Sequence, residues 1–195
     1  MSEIRVVLVD NDVSWQKNLK SILQKVGCLV VGEAEDGLTA IKIIRARQPD
    51  IAIIEASVPV KDGVEVAKII NEDRLAPVVL TSANYRQELL DNAINAGVKG
   101  FLVKPIDESS LIPAIEIALS TYHEMDQLER NIKKLEDKLE SRKLIEKAKG
   151  ILMETMGLSE KQAFQRLQKQ SMNKRVSMRA VAEAIIMAHN LQNDI

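Results

Sequence analysis

Polar side chains stand at the ends of apolar runs throughout the first half of this chain. Asp10, Asn11 and Asp12 follow the β-branched run 4–9, and Glu55 follows 51–54. Thr81 and Ser82 follow 78–80, and Lys104 follows 101–103. Carboxylates hold a hard cation, and hydroxyl and ammonium donors hold phosphoryl oxygens. Brought to one place, these residues would make a phosphoryl and divalent-metal site, with weak Mg²⁺ binding at Asp10 and Glu55 the metal expectation.

The elements that must position them alternate. Runs 4–9, 29–34, 51–54, 78–80 and 101–103 have the pattern of buried strands. Amphipathic stretches at about 13–26, 39–47, 64–71 and 89–96 read as helices, the last stopped by Gly97. Trp15, Leu19, Ile22, Leu23 and Val26 share one face of the first helix. Alternation of this kind predicts an α/β fold, a five-stranded, doubly wound parallel sheet with right-handed crossovers. Ligands of such sheets bind at the carboxyl ends of strands, where the polar residues lie.

Residues 110–156 carry one proline, Pro113, near the start, and one glycine, Gly150. The stretch reads as one long helix or two nearly end to end, capped by Ser109 or Ser110. Met125, Leu128, Ile132, Leu135 and Leu139 alternate spacings of three and four, the seam of a short coiled coil. A seam on a solvated helix needs a partner, and a homodimer is expected.

The last 54 residues read as a small three-helix bundle, 142–195. Leu144, Ile145, Ala148, Ile151 and Leu152 line its first helix. Ser159 and Gln162 form a capping box that opens a second helix burying Ala163, Phe164 and Leu167. Ser177 caps a third, with Met178, Val181, Ala182, Ile185 and Ile186 inward. Ten Lys/Arg against five Asp/Glu give this segment a net +5, while residues 1–141 carry −6. A basic rear and an acidic front point to a polyanion at the rear. Lys147, Lys149, Arg166, Lys169, Lys174, Arg175 and Arg179 supply cations for phosphates. Gly150 costs about 1 kcal/mol of helix stability against Ala, so it implies close approach of the polyanion's backbone or of a packed helix. Met153, Met156, Met172, Met178 and Met187 read as core filler.

The remaining composition excludes several classes. The chain has 195 residues, 46% hydrophobic and 28% charged, ordinary values for folded domains. At 3% aromatic it lacks the stacking sheet of an RRM. Its one cysteine, Cys28, lies in an apolar run and reads as a buried hydrophobe in a reducing compartment. No run approaches a membrane span and the N-terminus lacks a signal-peptide pattern, so a cytoplasmic protein is expected. There is no nucleophile–base pair, no metal-spaced His/Cys cluster and no nucleotide-binding glycine motif, so no enzyme is expected. His123 and His189 receive no role.

Two resemblances sharpen this reading. VDND at 9–12, PDIAIIEASVP at 49–59, DG at 62–63, PVVLTSA at 77–83 and GFLVKP at 100–105 make residues 1–120 resemble a response-regulator receiver domain, a flavodoxin-like fold. The resemblance implies an acidic pocket at Asp10, Asn11 and Asp12. It implies a phospho-acceptor position at Glu55, and switch and phosphate-pocket residues Ser82 (with Thr81 the near alternative), Phe101 and Lys104. Two positions depart from the family pattern: Glu55 stands for an aspartate and Asn11 for the second acid. Glu55 carries its carboxylate one methylene further out, into the space of an incoming phosphoryl group, and resembles a phosphorylated aspartate at lower charge. Lys104 is expected to pair with Glu55 without phosphate, giving constitutive activity or a pseudo-receiver under a partner's control.

SRKLIEKAKGILMETMGLSEKQAFQRL at 141–167 and NKRVSMRAVAEAII at 173–186 resemble the ANTAR domain of AmiR- and NasR-type transcription antiterminators. That resemblance implies dimers that bind RNA hairpins overlapping terminators, with a sensor histidine kinase or other regulatory protein upstream. The expected organisation is a receiver at 1–120, a coiled-coil linker at 121–141 and an ANTAR domain at 142–195. The alternative is a DNA-binding response regulator with a helix-turn-helix output, whose second helix would read bases. Cations scattered over three helices fit RNA hairpins better.

Overall fold

Alternating β-branched residues on short strands leave each strand with two apolar faces, and both are covered. The computed structural model describes residues 3–193. Strands β1 (Ile4–Val9), β2 (Cys28–Ala34), β3 (Ile51–Glu55), β4 (Val78–Ser82) and β5 (Gly100–Val103) form one sheet in the order β2-β1-β3-β4-β5, every pair parallel. Helices α1 (Val13–Lys25), α2 (Gly37–Arg47), α3 (Gly63–Glu72) and α4 (Gln87–Asn95) connect them. Successive residues of a strand point to opposite faces. Val7, Val9, Ile54 and Leu80 accordingly pack with Ile44, Val66 and Ile70, while Val6, Leu8, Ile53 and Val79 pack with Leu19, Leu23, Leu111 and Ile115. Gly97 follows α4 at φ +78, the left-handed position a helix end favours for glycine.

Helix α5, Glu108–Met156, is one helix of 49 residues. Its cap is Asp107 rather than Ser109 or Ser110: the Asp107 carboxylate accepts from the Ser110 N–H at 2.9 Å and its carbonyl from Leu111 N–H. Asp107 offers the acceptor directly before the helix starts at Glu108, and Ser110 instead donates its hydroxyl to the same carboxylate. The chain divides into two compact units, 1–126 and 127–195. Leu111, Ile115 and Ala118 of α5 are buried in the core of the first.

The second unit is built from the end of α5, α6 (Glu160–Lys174) and α7 (Met178–Asn193). Ser159 caps α6 with a complete capping box to Gln162, and the Ser177 hydroxyl accepts from Ala180 N–H. Its core is thin: Ala148, Leu152, Ala163, Leu167, Val181 and Ala182 are buried. Phe164, expected inside, is 43% exposed. Ala163 and Leu167 define a narrow inward face one turn apart, and Phe164 falls at its edge. Met153, Met156, Met172 and Met187 are also exposed, leaving only Met178 of the five packed against this core.

Leu167→Ala should therefore destabilise the second unit by about 2–5 kcal/mol, and Phe164→Ala by roughly 0.5 kcal/mol or less. Hydrogen exchange in α6 and α7 of the full chain checks this. Equal loss of protection in the two variants would place Phe164 in the core.

Candidate functional site

The carboxyl ends of β1, β3 and β5 bring Asp10, Glu55 and Lys104 together. Asp10 is 4% and Glu55 5% exposed. The Lys104 ammonium lies 2.6 Å from Asp10 Oδ2 and 2.7 Å from Glu55 Oε2, bridging the two carboxylates. The remaining oxygens have partners of their own. Asp10 Oδ1 accepts from Asp12 N–H at 2.9 Å, and Glu55 Oε1 faces Ser57 N–H at 3.4 Å. The indole of Trp15 lies 5.2 Å from the Lys104 ammonium, within cation–π range. Burial alone would lower the pKa of Lys104, but hydrogen bonds and Coulomb attraction to Asp10 and Glu55 outweigh it and raise it. The stabilisation linked to a raised lysine pKa is full below the unfolded value and is lost only as pH rises through the folded one. Lys104 therefore keeps its charge throughout the neutral range.

The hydroxyl on Glu55 belongs to Thr81, whose Oγ1 donates to Glu55 Oε2 at 3.1 Å. Ser82, preferred from sequence, instead donates to the Asn84 carbonyl at 3.0 Å. Strand register is the reason. Thr81 sits opposite Glu55 on the β3–β4 ladder, so both project from the same sheet face, while Ser82 projects from the other. Phe101 on β5 is half-buried against the core that contains Ile54 and Leu80.

Asp12 leaves the expected acidic pocket. Its carboxylate accepts from the Ser14 and Trp15 N–H groups at 2.9 and 3.1 Å and caps α1. The capping rule applied to Asp12 ahead of an apolar-periodic run would have found this. Asn11 is exposed and neutral. The Lys104 ammonium lies between the two carboxylates, so a Mg²⁺ ion that used both would have to displace it.

In the second unit the expected phosphate ligands separate into two groups. Lys149 is buried at 7% exposure and bridges Glu146 and Glu160, both at 2.8 Å, tying the end of α5 to the start of α6. Arg179 pairs with Glu140 at 3.3 Å and Glu183 at 2.8 Å. Both are engaged within the fold rather than offered to a ligand, because acids on neighbouring turns and on a second helix reach them. Lys147, Arg166, Lys169, Lys174 and Arg175 are exposed. None of these five forms an ion pair among the described residues. Arg175 caps α6 at φ 53, a left-handed conformation where glycine would be cheaper. A Cβ built on Gly150 meets nothing within 4 Å, so no packed helix of this chain explains that glycine.

The five seam residues of α5 are all exposed, from Met125 at 44% to Leu135 at 64%. No helix of the described residues is long and apolar enough to cross a membrane.

Comparison with known proteins matches both halves. The response regulator receiver domain family covers residues 6–116, and the ANTAR domain family covers 133–186. The chain is 37% identical over 182 residues to the transcriptional regulatory protein PdtaR of Mycobacterium tuberculosis, covering 93% of this chain and 89% of PdtaR. It is 33% identical over 117 residues to the chemotaxis protein CheY of Bacillus subtilis, covering 60% of this chain and 98% of CheY. The signal receiver domain of the putative response regulator NarL from Mycobacterium tuberculosis superposes with a TM-score of 0.58 at 27% identity, over 62% of this chain and 98% of that one. With a five-stranded parallel sheet carrying the receiver pattern and a helical unit matching ANTAR behind it, this chain belongs to the response regulators that join a receiver domain to an ANTAR domain.

Proposed function

We propose that this chain is an RNA-binding regulator of transcription antitermination whose receiver is held in one state by the Asp10–Lys104–Glu55 bridge rather than switched by aspartyl phosphorylation. The observation that carries this reading is the position of the Lys104 ammonium, 2.6 and 2.7 Å from two buried carboxylates. In an ordinary receiver, phosphorylation would add negative charge at the acceptor for a lysine to meet. Here Glu55 supplies a carboxylate at that position permanently. Its displaced oxygen is already held by Lys104 and Thr81, and a shift of roughly 1 Å can cost on the order of 100-fold in rate. Control then falls to a regulatory protein other than a phosphate-donating kinase, or the output is constitutive.

The output is RNA, in the form of hairpins overlapping terminators. The ANTAR match supports this, as do five exposed cations that form no ion pair among the described residues. Phosphate contacts carry most of such binding and make it steeply salt-dependent. The active form is a homodimer. Five large apolar residues in a three-four stripe along α5 are solvated in one chain, and a second copy of the same stripe covers them. At about two heptads the seam is marginal alone, so RNA binding adds to its stability.

Three outcomes follow for the wild-type chain and its variants. Acetyl phosphate with Mg²⁺ should add no phosphate by intact mass, while Glu55→Asp combined with Asn11→Asp should gain one. A stoichiometric gain in wild type that disappears in Glu55→Gln would reverse the reading.

Arg175→Gly should leave the Tm unchanged or higher, weaken hairpin binding, and lower the salt slope by about one. Unchanged affinity would remove Arg175 from the interface. Lys149→Glu, by contrast, should act through loss of folded second unit, read by circular dichroism.

Leu128→Glu with Leu135→Glu should sediment as a monomer with reduced RNA affinity. A wild type that is monomeric both with and without RNA would contradict the dimer.

A further inference from the structure

A groove of about 470 Å³ runs over the second unit between the end of α5, α6 and α7. Leu152, Val181 and Ile185 give it an apolar floor, and Ala184 and Ala188 on α7 keep it open where larger side chains would fill it. Arg166 and Lys174, both exposed and without an ion pair among the described residues, stand on its edge, and Gln170 lies between them on α6. Among the described residues no carboxylate lines it. Met156, exposed at 47%, closes one end with a polarisable thioether.

We infer that this groove receives one unpaired base of the bound RNA, with Arg166 and Lys174 on the flanking phosphates and Gln170 on the base edge. The inference rests on the RNA-binding reading and adds to it the place where sequence is read. Its chemistry is specific to a nucleotide. A buried polar ligand would need several polar partners, and an acidic peptide would not need an apolar floor. A nucleobase presents flat apolar faces, a hydrogen-bonding edge and an anionic phosphate on each side. An apolar slot with one amide and two cations matches all three. Glutamine offers both a donor and an acceptor, so it can pair with a base edge bidentately. The slot also explains how a unit with a single aromatic residue, Phe164, could favour a looped hairpin over a duplex. Aliphatic walls on two helices replace the aromatic platform. In a fully paired duplex no base is free to enter, and only the phosphate contacts remain.

The experiment uses the full chain and two RNA probes, a hairpin whose loop carries 2-aminopurine at one position at a time and a blunt duplex of the same stem. Wild type should bind the hairpin more tightly than the duplex, and one loop position should change its 2-aminopurine fluorescence on binding. Ala184→Phe fills the groove from an exposed position. It should weaken hairpin binding roughly tenfold or more, abolish the fluorescence change, and leave duplex binding within about twofold. Ala188→Phe serves as a second filling variant should the first fail to fold by circular dichroism, and Ala184→Ser should behave as wild type. If wild type binds neither probe, the RNA-binding reading itself fails. If wild type binds the hairpin and the folded filled variants bind it equally well, the groove inference fails while the reading stands. A filled variant that changes the sedimenting species with hairpin affinity intact would assign the groove to a second copy of the chain and overturn the inference.

Discussion

An ammonium between two buried carboxylates governs the first unit. Charges removed from water are costly, and they are tolerated only when paired and hydrogen-bonded. Lys104 meets both Asp10 and Glu55, Asp12 N–H donates to the other oxygen of Asp10, and the Thr81 hydroxyl donates to the same Glu55 oxygen as the lysine. Removing the lysine would leave two buried like charges facing each other. The arrangement therefore ties the carboxyl ends of β1, β3 and β5 to one another, and the position of β5 carries Phe101 with it. On the function proposed above, this interaction joins the strand ends where the ordinary family pattern uses a removable phosphoryl group.

The second unit uses the same physics for a different end. Lys149 and Arg179 are consumed in holding helices together, and Lys147, Arg166, Lys169, Lys174 and Arg175 remain facing solvent. Charge counted along the sequence overstates what a polyanion can meet, because part of it is neutralised inside the fold. Two of those five, Arg166 and Lys174, line an apolar groove. Gly150 adds an open stretch of helix surface with no side chain, where a backbone can approach.

Much of the fold was legible because its signals are local. Strand–helix alternation, the Ser159/Gln162 box, Gly97 after α4 and the α5 stripe all follow from periodicity and turn chemistry. The misses are of two kinds. Asp12 and Asp107 each stand directly before a helix and cap it with the side-chain carboxylate, a local signal shared with the pocket motif at 9–12 and with the serines at 109 and 110. Thr81, Lys149 and Phe164 required information that periodicity does not hold. The register Glu55↔Thr81 decides which hydroxyl reaches the carboxylate, and Glu160, eleven residues along and on another helix, decides that Lys149 is buried. Phe164 lies off the face that Ala163 and Leu167, one turn apart, turn inward.

Trp15, the single tryptophan of the chain, lies 5.2 Å from the Lys104 ammonium and reports on it directly. The most direct measurement is its fluorescence during a titration with millimolar Mg²⁺, with Lys104→Met as the control in which the two carboxylates lose their cation. A receiver closed by Lys104 should give a flat wild-type titration and a saturable change in Lys104→Met. A saturable change in wild type, at a concentration similar to that in the variant, would show a metal displacing the ammonium and contradict the permanent bridge.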